Sequence, residues 1–143
     1  MRKLLSIIAL AIALTGFSKF NYRVDPSLEK FYLSTIEDLK DHNFEFPYKK
    51  GVQIAKIKKK RKGQHKNGVA SIVPHPEYSM IRVYSKHWSE LQYWQRRWVM
   101  THEMLHTFGY EHSNDTQSLM YWDVPERVTP QMYYNALEVA LKE

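Results

Sequence analysis

Eleven consecutive residues constrain this chain more than any other feature: His102-Glu103-Met104-Leu105-His106-Thr107-Phe108-Gly109-Tyr110-Glu111-His112. In a helix, residues four apart share a face and lie about 6 Å apart along the axis. His102 and His106 can therefore aim both imidazoles at one ion, with Glu103 one step round, beside the metal and not on it. Gly109 is where such a helix can end, because glycine readily takes the left-handed conformation that turns the chain back. That reversal would bring His112 round as a third ligand. Three nitrogens leave the fourth position of a tetrahedral zinc open to water, the arrangement of a catalytic site and not a structural one. The plainer alternative is a pair of helical histidines satisfied by core hydrogen bonds; it leaves Glu103, Gly109 and His112 without a role.

Met120 follows His112 by eight residues, in Ser118-Leu119-Met120-Tyr121. Taken together, the two stretches resemble the metzincin metallopeptidases, and the second resembles the matrixin form of their Met-turn. The resemblance implies an α+β, zincin-like domain. Its expected parts are a small mixed β-sheet, an N-terminal helix, a long active-site helix, a Met-turn and a C-terminal helix. It also implies one catalytic Zn2+ on His102, His106 and His112, with Glu103 as general base and Met120 as an apolar floor beneath the imidazoles. By the same resemblance, residues 121–125 would line the pocket for the residue after the scissile bond, with Tyr121 and Trp122 as candidate pocket residues. Trp122 stands where related families place a tyrosine that adds a further metal ligand, so no such ligand is expected here. Tyr121 either assists the transition state through its hydroxyl or packs; Trp122 either shapes the pocket or is an ordinary core or surface residue.

The chain of 143 residues suffices for one domain and contains no cysteine. No disulfide can staple it, and no pro-segment cysteine can block a zinc, as one does in some metzincins. Residues 1–18 read as a secretory signal peptide. Arg2 and Lys3 form the basic end, residues 4–14 the apolar run, and Gly16 and Ser18 the small-residue end. The apolar run is shorter than the roughly 20 residues needed to span a bilayer. The expectation is a secreted or periplasmic protein with a single catalytic domain at residues 19–143 and no transmembrane span once the signal is removed. Oligomeric state is not legible.

Asp25-Pro26 reads as an N-cap followed by a first-turn proline, opening a helix to about His42 with Leu28, Phe31, Tyr32, Ile36 and Leu39 inward. Strands are expected at residues 20–24, 51–57, 68–73 and 78–85. The strand at 68–73 is a candidate edge for holding an extended peptide, or simply a sheet strand. A single long helix is expected from about Ser89 through the metal motif, with Leu91, Trp94, Trp98 and Leu105 apolar and Gln92, Gln95, Arg96 and Arg97 mostly in solvent. Thr129-Pro130 should open the last helix, with Met132, Leu137, Val139 and Leu141 making apolar contacts.

The formal net charge is +6. The excess is local: Lys56, Lys58, Lys59, Lys60, Arg61, Lys62 and Lys66 fall in a stretch with no acidic residue between Glu45 and Glu77. Such a run is either a solvated hairpin loop or a patch for an anionic surface or polymer. His42, His65, His75 and His87 form no second site by spacing.

The leading reading is a zinc-dependent endopeptidase acting on a peptide or protein substrate. Two other readings stay open: a non-catalytic, secreted polyanion-binding protein on the same scaffold, and a zinc hydrolase of cell-wall peptides.

Overall fold

The computed structural model describes residues 22–46, 51–58, 69–74 and 78–143. The expected leader and most of the basic run (Lys59, Lys60, Arg61, Lys62 and Lys66) lie outside these residues, as do His65 and His75. The architecture is a small mixed α+β fold: a four-stranded sheet and four helices. Strand β1 (Tyr22–Val24) leads through helix α1 (Glu29–Asp41) to β2 (Gly51–Ile57). Strands β3 (Ala70–Pro74) and β4 (Tyr78–Tyr84) follow, then helices α2 (Ser85–Glu90), α3 (Tyr93–Thr107) and α4 (Pro130–Ala140). The strand order is β1-β2-β4-β3. β1 and β2 are parallel, as are β2 and β4, whereas β3 runs antiparallel to β4 in the register Ala70↔Val83 to Pro74↔Ser79. The strand expected at residues 68–73 is found at Ala70–Pro74, and among the described residues it is an edge of the sheet. Among the described residues no helix is long and apolar enough to cross a membrane.

Helix α1 turns Leu28, Phe31, Tyr32, Ile36 and Leu39 into the core, as its spacing requires. Its start differs from expectation. Asp25 accepts the backbone N–H of Ser27 at 2.9 Å, closing an Asx turn, and the helix begins only at Glu29 with no side-chain cap on Leu28. The last helix begins as read, with Thr129 accepting the Met132 N–H at 3.2 Å and Pro130 in its first turn. Its buried face is Tyr133, Ala136, Leu137 and Ala140, while Met132 is exposed.

The single helix expected from Ser89 is two helices. Leu91 and Gln92 are extended, with ψ of 145° and 165°, and α3 restarts from a capping box built by Gln92 and Gln95. The Gln95 side-chain oxygen accepts the Gln92 N–H at 2.9 Å. Its amide nitrogen donates to the carbonyls of Pro125 and Glu126 at 3.0 and 3.1 Å, tying the start of α3 to the segment after Met120. Glutamine is a poor N-cap by propensity, so the break carries little signal in the sequence.

Arg97 is also not where amphipathic reading puts it. It is buried at 6% exposure and ion-paired with Asp38 of α1. The Tyr133 hydroxyl of α4 donates to the same carboxylate at 2.7 Å. The Thr101 hydroxyl bridges Thr35 at 2.9 Å and Tyr133 at 2.8 Å. One polar network thus joins α1, α3 and α4 immediately before His102, between two apolar clusters. One cluster centres on Phe31, Ile54, Ile81, Trp88 and Met100, the other on Trp98, Leu105, Leu119, Met120 and Leu137. Removing one partner of a buried pair strands the other charge. Arg97→Met is expected to lower the free energy of urea unfolding by about 3–5 kcal/mol; a loss under about 1 kcal/mol would show that Asp38 finds water or another donor.

Candidate metal centre

Helix α3 supplies His102 and His106 one turn apart, and it stops where the sequence asks it to. Gly109 has φ of +97° in the left-handed region. Its N–H reaches the His106 carbonyl at 3.1 Å, and the Tyr110 N–H reaches the Leu105 carbonyl at 3.2 Å. These two bonds are the Schellman closure of a helix. A Cβ at Gly109 would meet no atom within 4 Å, so backbone conformation and not space selects glycine there. The reversal carries His112 back over the helix end.

The three imidazoles meet through their Nε2 atoms. The separations are 3.0 Å for His102 and His106, 3.2 Å for His102 and His112, and 3.1 Å for His106 and His112. The other ring nitrogens decide what this triangle contains. His102 Nδ1 donates to the Leu119 carbonyl at 2.9 Å, and His106 Nδ1 donates to the Tyr110 carbonyl at 2.7 Å. A neutral imidazole has one N–H, so with Nδ1 spent on a carbonyl the Nε2 atoms of His102 and His106 each present a lone pair. Lone pairs facing one another at this range repel unless a cation sits among them. Tetrahedral bonds of about 2.1 Å imply ligand edges of about 3.4 Å, within a few tenths of the separations found. The residues present therefore fit a metal ion: the three histidines could hold one. The Nδ1–carbonyl bonds fix ring tautomer and aim, as is usual for metal-binding histidines.

Burial disfavours the protonated forms of His102 and His106. It pushes His102, 8% exposed, from 6.5 down to about 4, and lowers His106 in the same direction. Glu103, half-buried, is pushed by burial from 4.5 up to about 7. A cation held by the histidines would draw this carboxyl back toward its ionised form.

All four residues open onto one cleft of about 1000 Å³. Its lining includes Val69, Ala70, Ser71 and Ile72, from the edge strand and the residue before it, together with Val99, Tyr121, Trp122 and Val124. Both candidate pocket residues thus face the cleft. Tyr121 is half-buried and Trp122 is 67% exposed, their rings 5.4 Å apart. Met120 is fully buried, and the carbonyl that holds His102 belongs to its neighbour Leu119. Lys58, the one member of the candidate polyanion set (residues 58–62) that is described, is exposed just after β2. The His42 Nδ1–H donates to the Asp38 carbonyl at 2.7 Å, and His87 contacts Glu90.

Sequence reading missed several supporting groups: the carbonyls of Leu119 and Tyr110, the Gln95 side chain, and Glu143, whose carboxylate accepts from the Ser113 and Ser118 hydroxyls. Backbone acceptors leave no residue-type signal. Gln95 could have been found as the fourth residue of a Gln-x-x-Gln box.

Comparison with protein-family models, with curated proteins and with solved structures returns no match.

The pH response of the metal-free protein tests these environments. His102 binds a proton near 6.5 when unfolded but only near 4 when folded, so its contribution lowers stability as pH falls through that window. Glu103 acts in the opposite sense. Its raised folded value favours the fold at low pH, and that contribution is lost as pH rises through about 7. The two largely offset in the wild type. Glu103→Gln removes the offset, so the metal-free variant is expected to lose about 2 kcal/mol more than the wild type between pH 7 and pH 5 in urea unfolding. Equal slopes for the two proteins would contradict the assigned environments.

Proposed function

We propose that this chain is a zinc-dependent endopeptidase of the metzincin type, with His102, His106 and His112 as metal ligands and Glu103 as general base. The observation that carries the reading is the convergence of three imidazole Nε2 atoms beside an acid in a cleft lined in part by a sheet edge. A structural metal site is normally closed by a fourth protein ligand. Here, among the described residues, the metal-binding group contains three histidines and no fourth His, Cys, Asp or Glu.

Zinc held by these nitrogens would supply an acidified water and a Lewis acid for a carbonyl oxygen. Every other part falls to the chain. The Glu103 carboxylate would take the proton of the attacking water and return it to the departing amine, work suited to a carboxyl that a neighbouring cation keeps ionised. Strand β3 lies at the sheet edge along the cleft, where an extended peptide can add as a further strand through main-chain hydrogen bonds. Tyr121 and Trp122, which line the same cleft, would contact the side chain after the scissile bond. Met120 would underlie the imidazoles as an apolar support. Export through residues 1–18 completes the proposal; it rests on the sequence of that segment.

The full chain loaded with zinc is expected to cleave a mixed peptide library, and Glu103→Ala to bind zinc with similar affinity yet lose on the order of 10²–10⁴-fold in turnover. Retained activity in that variant would remove Glu103 from the chemistry. Zinc binding without cleavage by the wild type would move the reading to a specialised substrate, such as a cell-wall peptide, or to a binding role.

A further inference from the structure

The three candidate ligands are not anchored alike. His102 and His106 sit on a helix and are each oriented by a carbonyl at Nδ1. His112 is exposed, lies beyond the helix end, and among the described residues no carbonyl receives its Nδ1. Its position depends on the backbone around Ser113. That backbone is closed into a loop with Met120 and Tyr121: the Ser113 N–H donates to the Met120 carbonyl at 3.0 Å, and Ser113 bridges Tyr121.

Across this loop lies a carboxylate from outside it. Glu143, just beyond α4, accepts the Ser113 hydroxyl at Oε1 and the Ser118 hydroxyl at Oε2, the latter at 3.0 Å. Ser118 is fully buried, and its own oxygen receives the Met120 N–H at 3.1 Å. The Ser113 oxygen likewise receives the Asp115 N–H at 3.0 Å. Each serine thus passes the hold of the carboxylate into the backbone, one directly after the third histidine and the other two residues before the methionine. Hydrogen bonds to an ionised acceptor are roughly twice as strong as neutral ones. The last turns of α4 are themselves docked on the same loop, since the Leu119 N–H donates to the Ala136 carbonyl at 2.9 Å.

We propose that Glu143 is a positioning residue for the metal centre, a two-point clasp on Ser113 and Ser118 that does for His112 what the Leu119 and Tyr110 carbonyls do for the two helical histidines. The inference rests on the proposed metal site and goes beyond it by assigning a role to a side chain that touches neither metal nor cleft.

The test is zinc affinity of the full chain by competition with a chromophoric chelator. It is run on wild type, Glu143→Ala, Glu143→Gln and Ser113→Ala, with urea unfolding of each metal-free protein and the visible spectrum of each cobalt(II) form. Glu143→Ala is expected to weaken zinc binding about tenfold or more, the scale of losing a group that orients a ligand. Ser113→Ala should lose a similar factor, and Glu143→Gln, whose amide oxygen still accepts one hydroxyl, should fall between. The cobalt spectrum should change in Glu143→Ala, and the loss in zinc-binding free energy should exceed the loss in metal-free stability that follows from leaving the Ser118 hydroxyl without its acceptor. Unchanged affinity in the variants of a wild type that binds zinc would overturn the clasp alone. An affinity loss matched by an equal loss of metal-free stability would make Glu143 a plain structural contact and also overturn it. A wild type that binds no zinc would overturn the metal site and the clasp with it.

Discussion

This protein is organised around the mutual approach of three imidazole nitrogens to 3.0–3.2 Å, with the lone pairs of His102 and His106 facing inward. Without a cation the contact is repulsive, so the fold must hold it by other means. Those means account for much of the surrounding structure. Two carbonyls fix the ring tautomers, a Schellman turn at Gly109 redirects the chain, and the loop from His112 to Met120 is stitched to itself and to α4. A bound cation would convert the repulsion into attraction, which is why metal binding and stability are coupled in such sites.

Behind the centre, helix α3 is held at its start and in its middle. The Gln92–Gln95 box and its bonds to Pro125 and Glu126 tie its start to the segment after Met120. The Asp38–Arg97–Tyr133 network and the Thr35–Thr101 contact hold its middle against α1 and α4. The sheet approaches from the other side and contributes its edge strand to the cleft. A site built on a helix fixed by three neighbours is pre-organised, the condition for precise placement of ligands and base.

Much of this was legible in advance for a reason that differs by element. Helix α1 and helix α4 follow from apolar spacing and from Thr129-Pro130, both local signals. The strands follow from short β-branched runs. The failures were non-local or chemically unusual. Arg97 lies on a face that reads as solvent until Asp38, far away in the chain, arrives to pair with it. The break at Leu91 depends on a glutamine cap whose amide is also occupied by distant carbonyls. Asp25 reads as the helix N-cap, but it closes a turn ahead of the helix, which starts at Glu29 without a side-chain cap.

The local sequence by itself determined the chemistry of the centre. Histidines at i and i+4 must share a helix face, and a glycine that can take φ of +97° lets the chain return with the third histidine. These are properties of neighbouring residues and need no tertiary information. Tertiary structure alone decided what surrounds them: which carbonyls orient the rings, that β3 is the sheet edge beside the cleft, that Arg97 is buried, and that Glu143 reaches Ser113 and Ser118. Each of these joins residues distant in the chain through backbone or charged groups whose partners exist only once the helices have packed, so residue type and spacing carry no trace of them.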